Sequence, residues 1–223
     1  MKVLHYSGGL DSLACLELLK DEPDLTVITA STDGGYPDRE QYFKKVEAHY
    51  HQLPFVYVYK DRNLEKHGQP VDVLPIKWSE VGAMVHNGPV RYQSVFDCCN
   101  RGIWTPVHEA SVKLGATTIY RGQKAADPLK APIKDGHVEA GITYRFPIEG
   151  WSRKEVIEFV HERVPELIPA YYQREQTSRD CWDCTAYLHE NHDRIRYLPY
   201  EERLHVIKIL DQWRKDVNDE TRW

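Results

Sequence analysis

The chain has 223 residues, 41% of them hydrophobic and 28% charged, with a formal net charge of -5. This is an ordinary soluble globular composition, with room for one sizeable α/β domain or a domain with a modest appendage. The negative balance argues against non-specific nucleic-acid binding by the whole chain but leaves a local basic groove open. The opening "MKVLHYSGG" turns polar too soon for a signal peptide and no run reaches membrane-span length, so a cytoplasmic protein with no membrane partner is expected.

In chain order, Val3 to Tyr6 reads as a short buried strand. Asp11 to Lys20 reads as a helix with Leu13, Leu16 and Leu19 near one face, ended by "DEPD". "LTVITAST" is a second strand, followed by the turn "DGGYPD". "REQYFKKVEAHYHQL" is helical, and "FVYVYK" is a third strand. Asp61 to Asp97 reads as irregular, with a helix around Trp78 to His86. "GIWTPVHEASVKLG" is helical, starting near Pro106, and "TTIYRG" is a further strand. The stretch after it is a loop with hairpin character around "KDGH". In "SRKEVIEFVHERV", Ser152 and Glu155 have capping-box spacing. A charged helical tail is expected from Tyr200 to Trp223. Strands alternating with helices predict a doubly wound, mostly parallel α/β sheet with a short helical C-terminal extension. Ligands in that architecture bind at the carboxyl ends of the strands.

The first strand-to-helix turn holds "SGGLDS". Gly8 and Gly9 permit positive φ and close backbone approach. Successive amides there, with the positive end of the following helix, make an anion site, and Ser7 and Ser12 add hydroxyls. Asp11 beside a phosphate makes sense facing a magnesium ion or as a helix cap. The plainer alternative is a tight turn with a Ser or Asp cap.

Ser7-Gly8-Gly9-Leu10-Asp11-Ser12 resembles the SGGxDS signature of the PP-loop ATP pyrophosphatases. That resemblance implies an adenine nucleotide α-hydrolase-like fold. It also implies cleavage of ATP between the α- and β-phosphates, with adenylation of a substrate, pyrophosphate release and use of Mg2+. Three further stretches are similar to the phosphoadenosine phosphosulfate (PAPS) reductase family. "STDGGYPDREQYFKKVEAHYH" resembles its turn after the second strand, with Asp33 as the acid, the pair Pro37-Asp38, and Gly34 where the family has threonine. "YRGQKAADPLKA" resembles its Gly-x-Arg turn, with Gly122 and Lys124 matching and lysine in place of arginine. "YRFPIEGWSRKEVIEFV" resembles its Pro-Ile-x-x-Trp-Ser segment. On residue chemistry alone Asp33 can equally shape a turn, Lys124 can be a solvated loop lysine, and Trp151 is a core residue. By resemblance, Ser7, Gly8, Gly9, Asp11, Ser12, Asp33 and Gly122 bind the nucleotide, and Asp11, Ser12 and Lys124 act on it.

Cys98 and Cys99 are adjacent, and Cys181 and Cys184 form a C-x-x-C. Thiolates suit zinc and iron–sulfur clusters. A vicinal pair suits a cluster several ångströms across better than one small tetrahedral ion; zinc and buried free thiols remain alternatives. Cys15, inside the first helix, reads as a core residue. The CC plus C-x-x-C layout is similar to the [4Fe–4S] ligand set of the adenylyl-sulfate (APS) reductase branch. No cysteine follows Cys184, so the family's tail nucleophile has no counterpart there. Adenylation with cluster-assisted sulfur transfer is therefore expected ahead of APS or PAPS reduction by an external thiol or a thiol-donor protein. A zinc-stapled, non-catalytic nucleotide- or partner-binding module is the alternative of another class. The expected organisation is a PP-loop domain over 1–190 that includes the cysteines, with the cluster near the nucleotide, and a helical tail over 191–223 packed on it. The sulfur or adenylate acceptor, whether nucleic acid or small molecule, is left unidentified, and a homo-oligomer is left open. Arg174, Arg179, Arg194 and Arg196 can line an anionic groove or pair with nearby acids. Tyr171 and Tyr172 can stack on a base or pack, and His49, His51, His189 and His192 can be surface residues or ligands.

Overall fold

The computed structural model describes residues 1–127, 131–173 and 180–221. Its first half runs β1 (Lys2–His5), α1 (Leu10–Leu19), β2 (Leu25–Thr32), α2 (Arg39–His49), β3 (Phe55–Lys60), α3 (Leu64–His67), β4 (Gln69–Val71), α4 (Glu80–His86), β5 (Tyr92–Ser94) and α5 (Val95–Cys99). Then come α6 (Thr105–Lys113), β6 (Thr118–Arg121), β7 (Val138–Glu139), β8 (Ile142–Arg145), α7 (Arg153–Arg163), α8 (Leu188–Arg196) and α9 (Tyr200–Glu220). Two compact units result: Met1–Ser31, Tyr36–Tyr59 and Thr105–Arg179 form one, and Thr32–Gly35, Lys60–Trp104 and Asp180–Trp223 form the other.

The first unit carries a sheet of order β3-β2-β1-β6-β8-β7. β1 pairs in parallel with β2 and β6, β6 pairs in parallel with β8, and β7 closes the edge antiparallel. The predicted doubly wound, mostly parallel sheet is what forms. β2 is buried along nearly its whole length, as a strand covered on both faces must be. Strand order reverses at β1, because β2 lies on one side and β6 on the other. That reversal opens a crevice at the carboxyl end of β1, where Ser7 to Ser12 follow.

α1 and α7 pack together under this sheet, with Leu4, Leu13, Leu16, Val27, Phe43, Val46, Val156 and Val160 in one core cluster. Each fully buried leucine contributes about 2 kcal/mol from apolar area removed from water. Cys15 is buried in this core and Trp151 packs against it, as their sequence context predicts. α7 starts with the anticipated reciprocal cap: Ser152 accepts from the Glu155 amide, and the Glu155 carboxylate accepts from the Ser152 amide.

Four local expectations differ from the structure. α2 stops at His49 instead of reaching Leu53, because Tyr50 turns into the core and Pro54 disfavours helical backbone before it. The hairpin tip lies at Ala140 and Gly141, with φ of 49° and 80°, and not at "KDGH". The helix expected to open near Pro106 is already running at Val95, and widens to a π-helical stretch over Asn100–Trp104. Proline cannot donate to the carbonyl one turn back and crowds it, and the wider turn relieves that crowding. In the second unit the stretch read as irregular contains β4 and β5, paired in parallel. Three-residue strands are too short for periodicity to reveal.

The second unit also holds α9, the predicted tail helix. Buried Asp216 accepts hydrogen bonds there from Arg91 Nη1 at 2.9 Å, Tyr92 OH at 2.8 Å and Gln212 Nε2 at 3.0 Å. Among the described residues no helix is long and apolar enough to cross a membrane.

Candidate functional site

The turn after β1 is closed by its own hydroxyls. Ser12 Oγ donates to Gly9 O at 2.9 Å, Ser7 Oγ lies 3.1 Å from Ser12 Oγ, and the Gly9 amide donates to Ser7 Oγ at 3.4 Å. With the Ser12 proton committed to Gly9 O, Ser7 is the donor between the two hydroxyls. Gly8 has φ of +85°, and an added Cβ would stand 2.8 Å from the Phe43 ring, so both backbone and space require glycine. Arg39, buried and lying over Phe43, donates to Ser7 O at 3.1 Å and braces the turn from behind.

α1 has Gly9 as its N-cap and no side-chain capping bond. The Leu10 amide donates to Tyr172 OH at 3.3 Å. The amides of Asp11 and Ser12 have no acceptor among the described residues. They are the orphan donors of a helix start, directed where the macrodipole is positive. Gly122 lies flush against them: a Cβ there would be 2.8 Å from Ser12 N and 2.8 Å from the Asp11 carbonyl carbon. Glycine at 122 therefore serves close approach and not an unusual φ.

Asp11 does not cap the helix. Its Oδ2 meets Lys124 Nζ at 2.7 Å, and Asp127 Oδ1 meets the same ammonium at 3.0 Å. Asp127 Oδ2 also accepts the Lys124 amide at 2.7 Å, which closes the loop after β6 on itself. The Lys124 side chain is only 8% exposed, so it is a built-in cation and not a solvated one. Burial alone would lower its pKa, but hydrogen bonds and charge from Asp11 and Asp127 outweigh this and hold it above the ordinary lysine value. Burial raises the Asp11 carboxyl, and Lys124 opposes that rise. Tyr171 and Tyr172 stack on each other with centroids 4.6 Å apart.

The second unit assembles the cysteines. All four are free thiols. Cys98 senses the charge of Cys181 and Cys184, and Cys99 senses Cys184, Cys98 and Cys181. Burial pushes the Cys98 thiol up to about 12 and Cys181 to about 11, against the pull of Arg62; Cys99 and Cys184 are also raised by burial. Thr32 Oγ1 lies 3.3 Å from Cys181 Sγ, and the Trp182 amide donates to Gly34 O at 2.9 Å. Among the described residues, no group of three or more His, Cys, Asp or Glu side chains is placed to hold a metal ion.

Arg62 lies at the centre of this unit, with 2% of its side chain exposed. Its Nη1 and Nη2 donate to the two oxygens of Asp183 at 2.9 and 2.8 Å, and its Nε donates to Asp33 Oδ1 at 2.9 Å. These bonds outweigh burial and hold the Asp33 carboxyl below the usual range. Position 34 has no room for a side chain. A Cβ there would be 2.0 Å from Arg62 Nη2 and 2.4 Å from Asp183 Oδ1.

The structure thus brings together Ser7, Gly8, Gly9, Asp11, Ser12, Gly122 and Lys124 in the first unit, and Cys98, Cys99, Cys181, Cys184 and Asp33 in the second. Asp33 is engaged by Arg62. Arg194 is buried and hydrogen-bonded to Cys184, and Arg196 is exposed beside Asp193 at 3.8 Å. Arg174 and Arg179 lie outside the described residues. Sequence reading missed Asp127, Arg39, Arg62 and Asp183. The Lys-x-x-Asp spacing of "KAAD" and the acid inside the C-x-x-C were available signals; nothing local marks Arg39 or Arg62.

No protein-family model matches the chain. A stretch of 36 residues is 53% identical to argininosuccinate synthase of Methanococcus maripaludis, a PP-loop protein; it covers 16% of this chain and 9% of that protein. The crystal structure of phosphoadenylyl-sulfate (PAPS) reductase from Candida auris, a phosphate complex, matches 81% of this chain and 81% of that one, with TM-score 0.53 and 18% identity. A "predicted subunit of tRNA methyltransferase" from Methanocaldococcus jannaschii matches 73% and 75%, with TM-score 0.39 and 15% identity. The fold is that of an α/β protein with a mostly parallel sheet, and the turn after β1 is similar to that of PP-loop proteins. Within that class the chain has the fold of the PAPS reductases.

Proposed function

We propose that this protein is an enzyme that binds an adenine nucleotide, ATP by preference, on the Ser7–Ser12 turn and adenylates an acceptor with release of pyrophosphate. The observation that carries the reading is the pair of unengaged amides at Asp11 and Ser12, beside a buried ammonium at Lys124. Such a turn binds phosphate oxygens. An acceptor oxygen attacks the α-phosphorus, the α–β bridge breaks, and pyrophosphate leaves with the bonding electrons. The helix-start amides and Lys124 offset the charge that builds on those oxygens. Asp11 is the residue that would hold Mg2+, which supplies further neutralisation when bound. The phosphate complex of the similar PAPS reductase fold is consistent with an anion in this fold class.

The four cysteines suit a [4Fe–4S] cluster used in sulfur transfer. Such a core takes four thiolates, and Cys98, Cys99, Cys181 and Cys184 are free thiols that all belong to the second unit. Reduction of APS or PAPS by an external thiol is the second reading, favoured by the PAPS reductase fold. The test is pyrophosphate release from ATP and Mg2+ by anaerobically purified protein, with candidate nucleic-acid and small-molecule acceptors. Turnover in wild type that is lost in Asp11→Asn is expected. Full turnover in Asp11→Asn, or sulfite release from APS with no pyrophosphate from ATP, would remove the adenylation reading.

A further inference from the structure

Three segments bring the cysteines into the second unit: the end of β2, the helical run that follows β5, and the C-x-x-C. One side chain touches all three. Arg62 bonds Asp33 after β2, bonds both oxygens of Asp183 inside the C-x-x-C, and lies against Gly102, where a Cβ would stand 2.8 Å from Arg62 Cγ. Gly34 and Gly102 are the two positions that leave room for it. A guanidinium suits this place because its planar fork meets a carboxylate with two parallel bonds, which an ammonium cannot do.

The geometry points to Arg62 as the positioning residue of the cysteine site: it holds the C-x-x-C in its ligand-ready arrangement and is a fixed positive charge beside the group the cysteines bind. This rests on the cluster reading above. A [4Fe–4S]2+ core with four thiolates is a dianion, and a buried anion needs a fixed cation near it. Its guanidinium is bonded to both oxygens of Asp183 between Cys181 and Cys184, so the field of a fixed positive charge acts on that pair. Asp33, on the far arm of the guanidinium, opposes that field with a negative charge.

A purely structural role would loosen the site in every variant alike. A charged positioning role moves the cluster's one-electron midpoint potential in opposite directions. Arg62→Gln removes a positive charge and disfavours the reduced form, so the potential falls; Asp33→Asn removes a negative charge, so it rises. Each tenfold change in the balance of the two forms is read as about 59 mV. The experiment counts iron and sulfide in anaerobically purified wild type, Arg62→Gln, Arg62→Lys and Asp33→Asn. It then measures midpoint potentials and chelator-driven iron loss. Iron loss at least tenfold faster than wild type is expected in Arg62→Gln, with little rescue by Arg62→Lys. Wild type without iron refutes the cluster reading itself, and this inference with it. Iron present, with potentials unmoved or moved in the same direction in the two charge variants, refutes only the role of Arg62. Where Arg62→Gln does not fold, Asp33→Asn decides alone: a rise supports the role, and no change or a fall overturns it.

Discussion

Replacing Lys124 by methionine isolates the contribution of the buried ammonium, because methionine keeps the length and apolar stem of the side chain. Lys124 is 8% exposed, with Asp11 Oδ2 at 2.7 Å and Asp127 Oδ1 at 3.0 Å. Removing one partner of a fully buried ion pair costs about 3–5 kcal/mol. Here Asp11 is 40% and Asp127 27% exposed, so water screens the two carboxylates left behind. The expected loss is about 1–2 kcal/mol at pH 7. It must also depend on pH. Burial already raises the Asp11 carboxyl, and Lys124 opposes that rise more than Arg153 does; without the ammonium it rises further. A carboxyl whose folded pKa lies above its unfolded value destabilises the fold only while ionised, so the deficit shrinks as pH falls towards the unfolded value near 4. Urea unfolding of both proteins at pH 7 and pH 4.5 measures this. Equal midpoints at pH 7, or a deficit that grows at pH 4.5, would refute the reasoning.

Three further outcomes are expected. His5 is half-buried, with its pKa lowered to about 3 by desolvation, Arg121 and His108, and its Nε2 lies 2.8 Å from Ser111 Oγ. Its contribution is whole above about pH 6.5 and falls by up to about 4 kcal/mol as pH drops towards 3, since only the unfolded chain takes the proton. Comparing the acid limb of wild type with His5→Gln checks this, and the variant's limb should be flatter. Gly34→Ala drives a methyl into the Arg62–Asp183 pair, where 2.0 and 2.4 Å are too close. A loss of at least about 2 kcal/mol is expected, with faster alkylation of the cysteines. Asp216→Ala leaves Arg91, Tyr92 and Gln212 without their shared acceptor. A loss of about 2–3 kcal/mol is expected, read as earlier deuterium exchange in α9 than in the central sheet.

Much of the first unit is legible in the chain itself. A continuous β-branched and apolar run marks β2 because a strand buried on both faces has no polar side to show, whereas β3, at the sheet edge, is marked by its β-branched and aromatic residues. The capping box at Ser152 marks the start of α7, because both its bonds are made within one turn. The glycines and serines after β1 mark a phosphate-type turn because the tight conformation, the hydroxyl circuit and the helix start are all local. Other features wait on tertiary structure. Asp127 meets Lys124 only once the loop after β6 folds back, and Gly122 requires glycine only because α1 packs against it. The cysteine pairs announce soft-ligand chemistry by their type and spacing. That Arg62 joins Asp33 to Asp183, and that Gly34 must lack a side chain to admit it, depends on segments far apart in sequence. Local sequence determines which short-range conformations are cheap; which charges end up buried against each other is decided by the chain crossings that bring distant segments to one place.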